Sequence, residues 1–538
     1  MGRPTGRREA RRGLGATIDA MSNPTAPPSS PSPSGPSAPR ERLSDLRRRL
    51  PLLLQTLERG LLERDTAARL LLLAALAGEH VLLLGPPGTA KSELARRLHR
   101  CFDGARYFER LLTRFSTPEE LFGPLSLKAL EDDRYERLID GYLPTAGIAF
   151  LDEVFKANSA ILNALLTLLN EREFDNGRAR LSTPLVSVVG ASNEPPADDS
   201  LLAFHDRFLL RVPVAPVSDT AFAALLQLAD GDAAVSPTDA PAPITAAERA
   251  TVQAAAATVA LGDDTLAALT ALRAEVARLG LTVSDRRWRQ LVDLMRCAAA
   301  TEGRSALTPL DLWLAPYVAS ADADAAPRLA AWVTATVVQA QPQPLTWLDH
   351  AVSAFEKQLE IEQRLPAAQD GSVGGDGGDG GDGGAGSVGG DGGAEGAGKL
   401  ALARSLGGSD DPQGMARILS ATLEDRARRR FSPVHLAARQ SQVAAVTARA
   451  EAVAAQVQAA HDLLAAQCFQ RLWLPPTLAA GWLAAHRDTL TTLAGLQARL
   501  TATARGFAAL PVDDQRPAVA PAAMTWHGDQ GGQGTERP

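Results

Sequence analysis

The chain has 538 residues, of which 45% are hydrophobic, and a formal net charge of −7. This length predicts roughly two to four domains, and the absence of a purely apolar run of about 18 residues excludes a membrane-spanning helix from the expected fold. The acidic charge balance disfavours a mainly electrostatic nucleic-acid binder. The three cysteines lie far apart without a CxxC pair. We therefore predict neither a disulfide framework nor a zinc site, and we expect a cytoplasmic location.

The N-terminal region changes character near residue 43. Residues 1–42 are Arg-rich and then Pro/Ser-rich, which predicts a disordered extension, and Met21 offers an alternative start. From there to Ala77 apolar residues recur at helical spacing. This helical region leads into the apolar stretch Val81–Leu84, which we predict to be a buried strand.

The loop after this strand has the composition of a phosphate-binding loop. Its residues are Gly85, Pro86, Pro87, Gly88, Thr89, Ala90, Lys91 and Ser92. In such a loop, backbone N–H groups face an anion, the lysine adds positive charge, and the hydroxyl reaches Mg²⁺. Ala90 stands where the strict pattern GxxxxGK[ST] has its second glycine. Taken alone, the stretch could also be a Gly/Pro turn between a buried strand and a helix.

A second apolar run, at 147–151, ends in two adjacent carboxylates, Asp152 and Glu153. The run is typical of a buried strand, whose C-terminal end in a parallel sheet lies beside the phosphate loop. Successive strand residues point to opposite faces, so we expect separate tasks. Asp152 would hold Mg²⁺ directly or through its waters, and Glu153 would orient and deprotonate a water. Many strands end on acids, so the motif gains its weight from the loop upstream.

Asn193 and Arg207 are further candidates. The apolar run at 185–193 predicts a strand that ends on Asn193, which can hydrogen-bond a γ-phosphate or the attacking water; the alternative is a turn-forming asparagine. Before it, Asn176-Gly177 predicts a β-hairpin. Arg207 precedes another predicted strand, at 209–214. It is either a salt-bridge partner within the chain or a guanidinium presented to the nucleotide of a neighbouring subunit.

Residues 217–335 are Ala/Leu-rich with helical spacing, which predicts an all-helical domain. Within it, Ser284 and Asp285 start a helix that carries Arg286 and Arg287. Cations at a helix start work against the helix macrodipole. These arginines therefore favour an anionic partner outside the helix.

The C-terminal region is predicted to be a helical stalk with an interruption. It divides into a first stalk helix at 336–366, a Gly/Asp-rich linker with a short helical insert at 367–432, a helical hairpin at 433–510 and a disordered tail at 511–538. Small residues dominate the first apolar stripe of the hairpin. This favours antiparallel packing within the chain over an intermolecular coiled coil.

The ordered set of motifs predicts hydrolysis of a nucleoside triphosphate by positioning and charge stabilisation. Lys91 and the loop amides would hold the β- and γ-phosphates, while Ser92 and Asp152 would serve Mg²⁺. Glu153 would activate the water that Asn193 helps to place. An arginine from the next subunit would couple hydrolysis to assembly.

Several segments resemble the MoxR-type AAA+ ATPases, and more narrowly their RavA branch. They are residues 85–92, 113–120, 150–153 and 191–194, supported by the longer stretches 123–130 and 162–177. The resemblance covers residues 46–208 and continues through 283–288. Alanine is the usual residue at position 90 in that family.

The resemblance implies an α/β fold: an AAA+ core at 43–216 with a parallel sheet flanked by helices, an all-helical lid at 217–335 and a C-terminal helical stalk. It also implies a ring oligomer, expected to be a hexamer, that hydrolyses ATP with Mg²⁺ and remodels protein partners. Such ATPases work with a protein that contains a von Willebrand factor A domain. Arg207 matches the arginine finger and Arg286 the second sensor, a role that the adjacent Arg287 could equally fill.

Part of the RavA pattern is not carried over. In that branch a small β-rich domain, which contacts a lysine decarboxylase, interrupts the stalk, whereas the segment at 367–432 has little strand signal. Two other functions are alternatives to ATP-driven remodelling. A nucleotide-gated assembly scaffold with incidental turnover stays open, and a DNA-translocating motor is disfavoured by the acidic charge.

Overall fold

The computed structural model of the chain describes residues 37–196, 201–228, 240–320, 324–338, 344–364, 431–515 and 517–526. The strands are β1 (Val81–Leu84), β2 (Tyr107–Leu111), β3 (Ile148–Asp152), β4 (Glu173–Asn176), β5 (Ala179–Ser182), β6 (Ser187–Ser192) and β7 (Leu210–Pro213). The helices of the first domain are α1 (Ser37–Glu58), α2 (Asp65–Ala77), α3 (Lys91–Arg100), α4 (Pro118–Phe122), α5 (Leu127–Glu131), α6 (Ser159–Glu171) and α7 (Leu202–His205). Short 3₁₀ helices lie at Leu143–Thr145 and Val154–Lys156.

Further helices follow the last strand. They are α8 (Asp219–Gln227), α9 (Ala246–Ala256), α10 (Asp263–Arg278), α11 (Asp285–Glu302), α12 (Ala315–Ala319), α13 (Ala325–Trp332), α14 (Thr346–Arg364), α15 (Pro433–Phe469) and α16 (Pro476–Ala508). A 3₁₀ helix at Pro309–Leu314 precedes α12, and a π-helix at Val333–Val338 extends α13. None of the described helices is long and apolar enough to cross a membrane.

A five-stranded parallel sheet forms the centre of the first domain, with strand order β2-β3-β6-β1-β7. Its central strands carry no charged residue before their C-terminal ends, as expected for strands covered on both faces. The edge strand β2 instead carries Glu109 and Arg110, and charge on an edge strand discourages pairing with another chain. The predicted α/β core with a parallel sheet flanked by helices is confirmed.

Helix α2 is buried almost all round. Nine of its 13 residues are buried, because the helix packs against the sheet on one side and against α1, α9 and α11 on others. A helix with apolar residues on every face is stable only in such a position. On the other face of the sheet, α6 buries Ile161, Leu165 and Leu168 in a second hydrophobic cluster. The hairpin predicted at Asn176-Gly177 is also present, as the antiparallel pair β4 and β5.

Helices α9 to α13 form the predicted helical lid, and α14 to α16 form a three-helix bundle that corresponds to the predicted stalk. The bundle core contains Val352, Phe355, Val443, Leu493 and Phe507. Because α15 and α16 are joined by a short loop and pack along their length, the expected antiparallel packing within the chain is confirmed. The predicted linker and insert lie outside the described residues, except for the last two.

The loop between α15 and α16 fastens the bundle to the rest of the molecule. Trp473 in this loop is fully buried, and its Nε1 donates to Thr301 Oγ1 of α11 at 2.8 Å. Arg471 pairs with Asp311, which is 1% exposed and also accepts from Arg304 at 2.7 Å. A buried carboxylate flanked by two arginines fixes the orientation of this junction.

Three predicted boundaries need correction. Helix α1 begins at Ser37, inside the predicted disordered extension 1–42, because Pro39 lies in the first turn, where proline does not interrupt a helix. Phe431, predicted to belong to the insert, is buried and donates from its N–H to Pro511 O at 2.8 Å. The predicted tail 511–538 is also not disordered throughout, since Met524 and Trp526 pack on the bundle core.

Candidate active site

The carboxyl ends of three neighbouring strands form the candidate site. Strands β3, β6 and β1 are adjacent in the sheet and parallel, so they end at the same edge. Asp152 ends β3, Asn193 follows β6, and the phosphate loop follows β1. Ligands of open parallel sheets bind at this edge.

The phosphate loop bends sharply as it leaves β1. At Gly85, φ is +158°, and a Cβ atom would lie 2.1 Å from the carbonyl oxygen of Val214 in the segment after β7. Only glycine fits against that carbonyl. At Gly88, φ is +82° and a Cβ would meet no atom within 4 Å, so the loop is open on that side.

Lys91 is folded back onto the loop. Its Nζ donates to the carbonyls of Gly85 at 2.6 Å and Pro86 at 2.8 Å, and the residue is only 7% exposed. Burial lowers the pKa of Lys91, and the nearby carboxylates of Asp152 and Glu153 act in the opposite direction. The ammonium group is therefore held at the loop without a direct carboxylate partner among the described contacts.

The loop stores backbone strain at Ala90. This residue has φ +66°, in the left-handed region that L-residues other than glycine adopt at a cost of about 1–2 kcal/mol. It directly precedes α3, whose first residue is Lys91. The loop thus keeps its shape although alanine replaces the second glycine of the strict pattern.

Glu153 is held by two side chains. Like Ala90, Glu153 has a left-handed backbone, with φ +52°. Its N–H donates to Asp152 Oδ1 at 3.0 Å. Its Oε2 lies 3.2 Å from Lys156 Nζ. Its Oε1 accepts from Asn193 Nδ2 at 2.5 Å.

Asn193 joins the lysine and the glutamate. Besides its bond to Glu153, its Oδ1 lies 3.5 Å from Lys91 Nζ. The amide thus contacts the two groups predicted to bind phosphate and to activate water. The structure brings Lys91, Glu153 and Asn193 together at one edge of the sheet.

The donor set fits a nucleotide with Mg²⁺. The loop leaves open space at Gly88 and has a helix N-terminus at Lys91, which suits a phosphate. Ser92 and Asp152 are half-buried at the same edge, and hydroxyl and carboxylate oxygens are ligands that Mg²⁺ prefers.

The two predicted arginines lie elsewhere. Arg207 is three residues before β7, and Arg286 Nη1 is 3.4 Å from Asn170 Oδ1 at the end of α6. Both therefore lie at the edge where the strands begin, whereas the phosphate loop lies at the other end of β1, a strand of four residues and roughly 13 Å. Burial lowers the pKa of Arg207, and the positive charge of Arg286 lowers it further. Among the described residues, Arg207 Nε has no hydrogen-bond partner.

Arg287 has a different role from Arg286. It is 2% exposed and donates to four carbonyl oxygens. They belong to Val318, Asp206, Phe208 and Leu209. Because two of these acceptors flank Arg207, Arg287 fixes the backbone that carries it. Arg286 is exposed, and of the adjacent pair it is the one that can reach a partner.

Sequence reasoning missed Arg64, which contacts the phosphate loop. Its Nε donates to Thr89 O at 3.0 Å. Arg64 is one of many arginines in the chain and lies 25 residues before Thr89, so no local pattern marks it.

Comparison with known proteins identifies the family. The model of the MoxR domain in the MoxR-vWA-beta-propeller ternary systems matches residues 48–254, and the model of an AAA lid domain matches residues 264–333. The uncharacterized protein MJ0079 of Methanocaldococcus jannaschii is 40% identical over 283 residues, which are 52% of this chain and 73% of that protein. The chain belongs to the MoxR family of AAA+ ATPases.

Two further relatives support the family assignment. The uncharacterized protein MJ0812 of the same organism is 43% identical over 47% of this chain and 66% of that protein. Protein MoxR of Paracoccus denitrificans is 31% identical over 29% of this chain and 48% of that protein. The match to the MoxR model runs to residue 254, inside α9. The narrower RavA branch stays a prediction.

Proposed function

We propose that this MoxR-family chain hydrolyses ATP with Mg²⁺, as a ring oligomer expected to be a hexamer, to remodel protein partners. The observation that carries the proposal is the contact chain from Lys91 through Asn193 to Glu153. A turn or a structural salt bridge does not require these three groups at the mouth of a phosphate loop. Hydrolysis does, because it needs a phosphate ligand, a water-orienting group and a base.

Each residue of the site would have one role in hydrolysis. The loop amides and Lys91 bind the β- and γ-phosphates, and Asn193 orients the attacking water. Glu153 Oε1 first exchanges its hydrogen bond from Asn193 for one from that water. It then accepts the proton of the water. Mg²⁺, held by Ser92 and Asp152, would supply charge neutralisation at the phosphates.

The distant arginines support a ring. Arg207 and Arg286 lie at the opposite edge of the sheet from the loop of their own chain. We therefore propose that these guanidinium groups serve a nucleotide in an adjacent subunit. Such arginines contribute about 10³–10⁵ in rate in phosphoryl transfer.

The proposed partners follow from the family. The matching family model is that of MoxR domains in systems that also contain von Willebrand A and β-propeller components, so we propose a partner with a von Willebrand factor A domain. The three cysteines are free and buried, which suits the reducing cytoplasm as the place of action.

The substitution Glu153→Gln tests hydrolysis. It keeps the hydrogen bond from Asn193 but removes the base, so turnover should fall by about 10²–10⁴ while ATP binding is retained. The control Glu171→Gln changes an exposed glutamate at the end of α6 and should leave turnover unchanged. Wild-type turnover in Glu153→Gln would sink this mechanism.

A nucleotide-gated scaffold is the second candidate. One observation favours it: both oxygens of the Glu153 carboxylate already have a partner, Asn193 for Oε1 and Lys156 for Oε2, and this occupation opposes a role as the base. If the scaffold is correct, Glu153→Gln will bind a von Willebrand A-domain partner with the affinity of wild type, and affinity will differ only between the ATP and ADP states.

A further inference from the structure

Arg64 is a buried arginine beneath the phosphate loop. It occupies the N-cap position of α2 and is only 6% exposed. The loop lies on one side of it, and on the other lies the segment that leaves β7 toward α8. Arg64 thus lies between the phosphate loop and the segment that connects β7 to the lid.

The guanidinium of Arg64 donates to three carbonyl oxygens. Nε donates to Thr89 O at 3.0 Å, Nη2 to Ala215 O at 2.8 Å, and Nη1 to Glu63 O at 2.9 Å. Burial lowers the pKa of Arg64, and the charge of Glu63 opposes this shift. A buried guanidinium with carbonyl acceptors leaves positive charge close to the loop, which favours a bound anion.

The bond to Thr89 determines the orientation of a loop peptide. Because a trans peptide is planar, fixing the Thr89 carbonyl toward Arg64 turns the N–H of Ala90 to the opposite side. Ala90 is the residue with the left-handed backbone, φ +66°. The Arg64 bond therefore stabilises the loop at the peptide next to its strained residue.

Glu63 extends the same contact to the lid connection. Its carboxylate accepts from the N–H of Ser218 at 2.8 Å and from the hydroxyl of Ser218. Ser218 is the N-cap residue of α8, three residues after Ala215. Glu63 and Arg64 together join the phosphate loop, the end of β7 and the start of α8.

We propose that Arg64 is a positioning residue of the nucleotide site, which holds the Thr89–Ala90 peptide in its binding orientation and, with Glu63, ties the loop to the lid connection. The proposal rests on the proposed function, since it assumes that the loop binds nucleotide. The dependence on Arg64 follows from Ala90: a glycine at position 90 would adopt the left-handed backbone without cost and would need the arginine less.

The experiment is a double-mutant cycle on binding of fluorescent ADP in the presence of Mg²⁺, with the full chain. Arg64→Gln should weaken binding by about tenfold or more, as expected for the loss of a charged hydrogen bond. In the Ala90→Gly background the same substitution should weaken binding by about threefold or less. A purely structural defect would not depend on residue 90.

Two further variants keep the test decisive. Arg47→Gln removes another guanidinium that donates to a carbonyl, Ala300 O at 2.6 Å, and it does not contact the loop, so its ADP affinity should equal wild type. Arg64→Lys keeps the charge but cannot bridge Thr89 and Ala215, and it replaces Arg64→Gln if the latter does not fold. An equal loss of affinity in both residue-90 backgrounds, or in Arg47→Gln, would overturn the proposal. Failure of wild type to bind ADP would instead overturn the proposed function.

Discussion

Asn193 donates from Nδ2 to Glu153 Oε1 at 2.5 Å, across the ends of two adjacent strands. The bond joins the residue after β6 to the residue after β3. It directs the glutamate toward the phosphate loop, where Asn193 Oδ1 also lies 3.5 Å from Lys91 Nζ. The amide therefore positions the base relative to the phosphate-binding lysine.

Asn193→Ala should lower kcat for ATP hydrolysis by about 10²-fold, since the base and the water lose their common hydrogen-bond partner. The dissociation constant for ADP should change by less than about threefold, because Lys91 keeps its bonds to Gly85 and Pro86. Steady-state kinetics and fluorescence titration measure the two quantities. Asn176→Ala, which changes an amide in the β4–β5 hairpin, is the control and should hydrolyse ATP normally. Equal losses of kcat and affinity would contradict the assignment.

Arg207→Ala should reduce turnover by about 10³-fold with ADP binding retained, if the arginine acts on the nucleotide of an adjacent subunit. The decisive measurement mixes Arg207→Ala subunits with Glu153→Gln subunits. A site between them can combine Glu153 from one subunit with Arg207 from the other, so the mixture should regain part of the activity. A mixture as inactive as either variant alone would show that Arg207 does not act between subunits.

Substitutions of Arg286 and Arg287 should have different effects on stability and on ATP turnover. Arg287→Ala leaves several buried carbonyls without a donor and should lower the free energy of unfolding by about 3 kcal/mol. Arg286→Ala changes an exposed side chain and should alter it by less than about 0.5 kcal/mol, while lowering ATP turnover. Urea denaturation and an ATPase assay test both statements. If Arg286→Ala hydrolyses ATP at the wild-type rate, it has no sensor role.

The sequence was informative where function depends on local pattern. The strand ends at Asp152 and Asn193, and the loop that ends in Lys91, could be placed because an apolar run followed by a polar residue marks the edge of a parallel sheet. The same local logic identified the β4–β5 hairpin and the antiparallel packing of α15 against α16.

The contacts that could not be predicted join residues far apart in the chain. Arg64 reaches Ala215 across 151 positions, and Arg287 reaches Asp206 across 81. An arginine has the same local appearance whether it donates to carbonyls in a core or faces solvent. The prediction of a disordered tail was wrong for a related reason. Met524 and Trp526 are two apolar residues in a Pro/Ala-rich stretch, and their position depends on contacts with the bundle, which is distant in sequence.

His80 should make folding sensitive to acid. It lies before β1, 4% exposed, where its Nδ1 accepts from Val188 N–H at 3.1 Å and its Nε2 donates to Leu169 O at 3.2 Å. The bond from Val188 requires an unprotonated Nδ1 and therefore the neutral ring. Burial, followed by the charge of Arg172, lowers the pKa of His80 from 6.5 to about 3. Because the folded pKa is below the unfolded one, this contribution to stability is present above pH 6.5 and is lost as the pH falls toward 3.

Between pH 7.5 and pH 5.5 the loss from His80 alone should be about 1.4 kcal/mol in the free energy of unfolding. In His80→Gln the difference between the two pH values should be smaller by this amount, whatever the absolute stability of the variant. His205, whose pKa burial likewise lowers to about 3, contributes in the same direction, so His80→Gln/His205→Gln should show a still smaller difference. Urea denaturation at both pH values provides the measurement. The same pH difference in wild type and His80→Gln would mean that burial and the hydrogen bond from Val188 do not hold His80 neutral.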